Sequence, residues 1–229
     1  MIDYYKINNS IERLLRGDST LFLDLKELNC IKGKIKKSDY KIFNVYPDSD
    51  KVILYRDKLP KIRLFKIDSY FEIRHQDILG SLFALQINPS YFGDIVLFRG
   101  SFYLYAFNEI GDFLLDNLTM VGKSSVKISE VSFDTLKDYK REYDIIDVIV
   151  SSLRIDNVVS SVCNLSRKIT LEKIKEKEVV INYEICSKSS YVLKENDVFS
   201  IRKFGKFKYH SILKNTKSSK YIIRILKYK

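Results

Sequence analysis

Arg154-Ile155-Asp156 and Leu165-Ser166-Arg167-Lys168 put cations where a helix least favours them. Ile155, Val158, Val159 and Val162 recur at i, i+3, i+4 and i+7, the apolar stripe of a helix. After "CNLS" a second helix is expected, with Ser166 as N-cap and Thr170, Leu171 and Ile174 on one side. Arg154, Arg167 and Lys168 then stand at helix starts, against the macrodipole, so they need another reason to be there. An anion is such a reason. Ser166, the amides behind it, Arg167 and Lys168 can cradle a phosphate, with Arg154 approaching from the first helix. Asp156 is expected to hold Arg154 or cap its helix, since a carboxylate repels phosphate.

A second basic group follows in "RKFGKFKY", where Arg202, Lys203, Lys206 and Lys208 alternate with Phe204, Phe207 and Tyr209. Cations grip a nucleic-acid backbone, and an exposed ring stacks on an unpaired base. Phe207 is expected in the core and Phe204, at the turn, as the stacking ring.

The charge is unevenly placed. The chain of 229 residues has a net charge of +11, yet residues 1–153 carry 22 basic and 22 acidic side chains, and 154–229 carry 18 and 7. From Arg202 to Lys229 there are 10 basic residues and no acidic one. Interleaved aromatic and β-branched residues mark this stretch as folded strands rather than a solvated tail. The asymmetry points to a polyanion-binding module on a neutral platform.

Three blocks position these residues. Residues 1–58 form an N-terminal α+β region, with helices near Ile11–Leu15 and Asp24–Ile31 and strands "KIFNVY" and "KVILYR" joined at "PDSD". Residues 59–150 read βαββαβ, which fits a ferredoxin-like split βαβ sandwich. In "SFYLYAF", Phe102 and Leu104 are expected to face the helices. Tyr103 and Tyr105 then lie on the other sheet face, where they either stack bases or pack against another domain. Residues 151–229 carry the two short helices and then β-structure, making the whole α+β.

Other chemistry is weakly supported. Cys30, Cys163 and Cys186 form no CxxC pair, which fits free thiols in a reducing cytoplasm and no structural metal. "VGKSS" resembles the end of a P-loop, but Asn117 stands where its first glycine is required. His75 and His210 have no evident nucleophile partner. No apolar run approaches the roughly 18 residues of a membrane span, and the N-terminus does not read as a secretory signal.

The order Arg154-Ile155-Asp156, Ser166-Arg167, Val179–Asn182 and Asn196-Asp197-Val198 resembles the S4 (αL-type) RNA-binding domain. Lys177, Asn196 and Lys203 stand where that family has glycine, and Thr170 where it has alanine. With "TLFLDLKE", "HQDILGSLFAL", "FGDIVL", "DNLTMVGKSSV", "SSLRIDNVVS" and "SIRKFGKFKY", most of the chain is similar to the YlmH family. That resemblance implies an N-terminal region, a ferredoxin-like RNA-binding domain and a C-terminal S4 domain with a basic β-hairpin tail. It implies a bacterial, cytoplasmic, non-catalytic factor in ribosome-associated quality control. Its partners would be rRNA of the large subunit, tRNA and a factor for C-terminal alanine tailing on the same subunit, with no membrane and no cofactor. Its RNA-binding residues would be Arg154, Ser166, Arg167, Lys168, Lys173, Asn182, Arg202, Lys203, Phe204, Lys206 and Lys208. The alternative is an S4-anchored RNA-modifying enzyme, because pseudouridine synthases share an Arg-Leu-Asp triplet resembling Arg154-Ile155-Asp156.

Overall fold

A computed structural model describes residues 3–216 and 219–228. Lys217 and Lys229 of the basic tail, with Met1, Ile2 and Ser218, lie outside them. The chain divides into two compact units at Lys140/Arg141.

The first unit opens with α1 (Tyr4–Leu15) and α2 (Leu25–Lys32). The Asp24 carboxylate accepts the Glu27 amide at 2.8 Å while the Glu27 carboxylate accepts the Asp24 amide at 3.0 Å, closing a capping box. A hairpin of β1 (Lys41–Asn44) and β2 (Val52–Tyr55) follows. Then come β3 (Ile62–Ser69), α3 (His75–Ala84), β4 (Phe92–Phe98), β5 (Ser101–Phe107), α4 (Gly111–Asn117), β6 (Met120–Val121) and β7 (Ser124–Val131). Their sheet is antiparallel in the order β4-β5-β3-β7-β6, so the first and third long strands are central, as a split βαβ arrangement requires. "VGKSS" is the β6–β7 hairpin turn, with Gly122 at φ +59°, and opens no helix.

Alternation along the strands decides what each sheet face meets. Phe65, Ile67, Leu104 and Ala106 pack with Ile78 and Leu82 of α3 and Leu114 of α4. On the other face Leu64, Val96, Tyr103 and Tyr105 pack with Phe22, Tyr46, Ile53 and Leu136. Tyr103 is 4% exposed and Tyr105 1%, so base stacking on this face is overturned. The N-terminal block covers it with its own apolar side chains. Burial pushes the Tyr105 hydroxyl well above its ordinary pKa.

The second unit holds β8 (Tyr143–Val150), α5 (Ile155–Val162), α6 (Arg167–Lys175), β9 (Val179–Ile181), β10 (Glu184–Ile185), β11 (Val198–Ile201), β12 (Gly205–Asn215) and β13 (Tyr221–Tyr228). They form an antiparallel sheet in the order β10-β9-β11-β12-β13-β8. Residues 143–150, read from sequence as the end of the middle domain, pair with β13 from Tyr143↔Tyr228 to Val150↔Tyr221. The reason is a long-range partner that no local pattern reveals. Tyr191–Leu193 contribute an isolated bridge between Arg154 and Val192.

Ile155, Val158 and Val159 of α5 and Ile174 of α6 pack on Val179, Phe199, Phe207, Tyr209, Ile223 and Ile225. Thr170 is also buried, whereas Leu171, expected beside it, is exposed. The α6 stripe is narrower than the sequence suggested.

Lys177, Asn196 and Lys203, the three positions where glycine was the expected residue, have φ of +62°, +71° and +71°. Only glycine takes this region at no steric cost. Lys177→Gly should therefore raise the unfolding free energy by about 0.5–1 kcal/mol, read as a higher urea midpoint.

Candidate nucleic-acid interface

Two helix starts converge on one carboxylate. Arg154 is the N-cap of α5, with φ −63° and ψ 139°, and Asp156 follows in the first turn. Asp156 is 1% exposed. It accepts from Arg154 Nε at 3.1 Å and Nη2 at 2.9 Å, from the Asn157 amide at 3.0 Å and from Arg167 Nη2 at 3.4 Å. Burial pushes this carboxyl up. The hydrogen bond and charge of Arg154, followed by those of Arg167, outweigh burial and hold it below its ordinary pKa. It is therefore ionised at neutral pH and orients two guanidinium groups from different helices. Two positive charges against one negative leave the surface cationic. Arg154 presents its Nε–Nη2 edge to Asp156 while its side chain stays 39% exposed.

Ser166 caps α6 as expected, its hydroxyl accepting the Ile169 amide at 3.3 Å. The first intrahelical bond runs from the Thr170 amide to the Ser166 carbonyl at 3.0 Å. The Arg167 and Lys168 amides precede it at the positive end of the helix. The side chains of Arg167 (71% exposed) and Lys168 lie at the surface beside them.

A folded-state pKa below the unfolded value of about 3.9 means that Asp156 adds stability above that value. The stability is lost as pH falls through the folded pKa. Urea midpoints of wild type and Asp156→Asn should therefore differ at neutral pH and converge as the pH falls below the ordinary aspartate range and through the folded pKa. A constant gap would show that the ionised carboxylate is not what holds the two arginines.

The remaining expected residues separate. At the β11–β12 turn, Glu178 accepts from Lys173 Nζ at 2.7 Å and pairs with Arg202 at 3.6 Å. Lys173 sits over the Phe204 ring at 5.6 Å. Phe204 packs against the core and Lys173 is half-buried, so neither is the open contact expected of it. Arg202 and Lys203 remain exposed. Asn182 is a clamp in the fold: its amide donates to Asp197 at 2.7 Å and accepts the Val198 amide at 2.9 Å. Buried Asp197 also accepts from the Tyr191 hydroxyl at 3.0 Å and the Lys194 amide at 2.8 Å. Burial, then the hydrogen bond to Asp197, pushes the Tyr191 hydroxyl up to about 12. Tyr191 escaped the sequence reading, and Asp197 entered it only within Asn196-Asp197-Val198, because a buried acceptor in a loop leaves no periodic mark.

Lys206 and Lys208 point the other way. Phe207 and Tyr209 between them enter the core against α5 and α6, so the lysines project from the opposite face of β12. Lys206 lies over Tyr183 at 5.3 Å and over Tyr228 at 4.5 Å. The expected residues thus fall into a helix-start group, a turn group and a sheet-face group.

Residues 59–135, which run through β3 to β7, match a family model described as "Putative RNA-binding domain in YlmH". This stretch is thus a domain of the YlmH type. "Ribosome-associated protein quality control protein P2" of Bacillus subtilis (strain 168) is 30% identical over 154 residues, covering 67% of this chain. The match spans 60% of that relative's length. "Cell division protein ylmH from Streptococcus pneumoniae", a solved structure, aligns with TM-score 0.48 and 16% identity over 58% of this chain and 93% of that one. The YlmH-type domain, residues 59–135, carries seven basic and nine acidic side chains, while residues 141–229 carry 19 and 10. Electrostatic attraction for a polyanion therefore concentrates in the second unit.

Proposed function

We propose that this chain is a non-catalytic RNA-binding factor of ribosome-associated quality control. It binds the large ribosomal subunit through rRNA and tRNA, alongside a factor that tails stalled chains with alanine. The observation that carries this reading is the pair of arginines held at adjacent helix starts by buried Asp156. Such an arrangement positions guanidinium groups for phosphate oxygens, with the Asp156 carboxylate engaged by the two arginines and the Ser166 hydroxyl by the Ile169 amide. In this reading residues 59–140 supply a ferredoxin-like platform and residues 141–229 an S4-type module that includes β8. The protein works in the bacterial cytoplasm; among its described residues no helix is long and apolar enough to cross a membrane.

The family description of the matched domain and the name of the B. subtilis relative support the RNA and quality-control parts of this reading. The test is sedimentation of the purified chain with large subunits, paired with mass spectrometry of rRNA and tRNA from a deletion strain. Co-sedimentation with an unchanged set of modified nucleotides is expected. Loss of one modified nucleotide would favour the RNA-modifying enzyme instead.

A further inference from the structure

The β9–β10 hairpin turns through two residues, Asn182 at φ +47° and Tyr183 at φ +66°. Consecutive positive φ values make a type I′ turn, whose second position favours glycine. A bulky aromatic there is a genuine outlier, and such strain gathers at functional positions. The ring is used. Lys206 lies over it at 5.3 Å and bonds its hydroxyl at 3.2 Å, while Tyr183 remains 38% exposed.

The surroundings suit a nucleotide. Lys206 also covers Tyr228 at 4.5 Å, and Arg141 stacks on Tyr228 at 5.1 Å. Across the sheet Lys206 is registered with Ser200 and Ser200 with Val180, so these side chains share its face. Lys208 projects from the same face one alternation further along β12. Asp147 of that face is engaged by Arg224 at 2.9 and 2.8 Å, which offsets its charge. The face lies opposite the one on which α5 and α6 pack.

We infer that the outer face of this sheet is a second RNA contact, where an unpaired base stacks on Tyr183 and its phosphates meet Lys206 and Lys208. Stacking needs a base with an open π-face, which a duplex keeps covered, so the ligand is single-stranded. The inference rests on the RNA-binding reading above and adds to it the strand state and the stacking residue.

The chain contains no tryptophan, so Tyr183→Trp introduces a unique fluorophore. Its emission should be quenched by a short oligouridylate and not by an RNA duplex of equal length. Tyr183→Gly removes the ring and relaxes the turn. It should melt no lower than wild type, yet lose about 5- to 150-fold in oligouridylate affinity, the range for removing one base–aromatic stack. Wild-type affinity in Tyr183→Gly, or unchanged tryptophan emission on binding, overturns the inference. So does wild-type protein that sediments with subunits but ignores oligouridylate, an outcome that leaves the RNA-binding reading standing. Wild-type protein that binds neither overturns both.

Discussion

Raising salt from about 50 to about 200 mM should weaken binding of this chain to large ribosomal subunits by about 10³-fold. The seven cations at issue are Arg154, Arg167, Lys168, Arg202, Lys203, Lys206 and Lys208. Each phosphate neutralised contributes about −0.7 to −0.9 to the slope of log affinity against log salt, so seven give about −5 to −6. Among the described residues, two carboxylates compete for three of these cations. Asp156 takes Arg154 and Arg167, and Glu178 takes Arg202. A titration by subunit pelleting gives the slope. A flat response would mean that contact with the subunit is made by apolar surface, and the charge asymmetry of the chain would need another cause.

Arg167→Ala should weaken subunit binding by about 1.5–3 kcal/mol, the range for hydrogen bonds to charged groups. It should change unfolding stability by no more than about 0.5 kcal/mol, as at an exposed site. The geometry supports the separation. Arg167 is 71% exposed and reaches Asp156 with one long bond of 3.4 Å, whereas Arg154 makes two shorter ones. Arg154→Ala should therefore lower both stability and binding. Arg167→Lys should fall between wild type and alanine, because an ammonium cannot make the bidentate contact. Ile174→Ala is the contrasting control. It is buried among α5 and sheet residues, and its truncation should cost about 2–5 kcal/mol of stability. Urea melts and pelleting on the same preparations read all four. Early melting of Arg167→Ala, or pelleting like wild type, would shift the phosphate contact to Arg202–Lys208.

What could be read from sequence was local. The α5 stripe and the Ser166 cap each follow from a few neighbouring residues, whereas Lys177, Asn196 and Lys203, left-handed in the structure, were marked by the glycine that the resembling family carries there. What was missed depends on partners distant in the chain. Asn182 looks like a surface polar residue until Asp197 and Val198 fold against it. Phe204 looks like an exposed ring until Lys173 and Glu178 close over the turn. Tyr103 and Tyr105 look like a binding face until Phe22, Tyr46 and Ile53 cover them. Asp156 was legible as the holder of Arg154. Its hold on Arg167 was not, because that needs the angle between two helices.

The placement of β13 bears on how the second unit is made. This strand lies between β12 and β8 and supplies the sheet neighbour of β8 along its whole length. During synthesis, residues 143–150 emerge long before residues 221–228 exist. The growing chain must carry Ile145 and Ile149 on an unpaired edge until then. Closure of this sheet is a late, high-contact-order event. A copy whose own translation halted before Tyr221 would hold the residues of its helix-start cation site without the strand that joins β8 to β12.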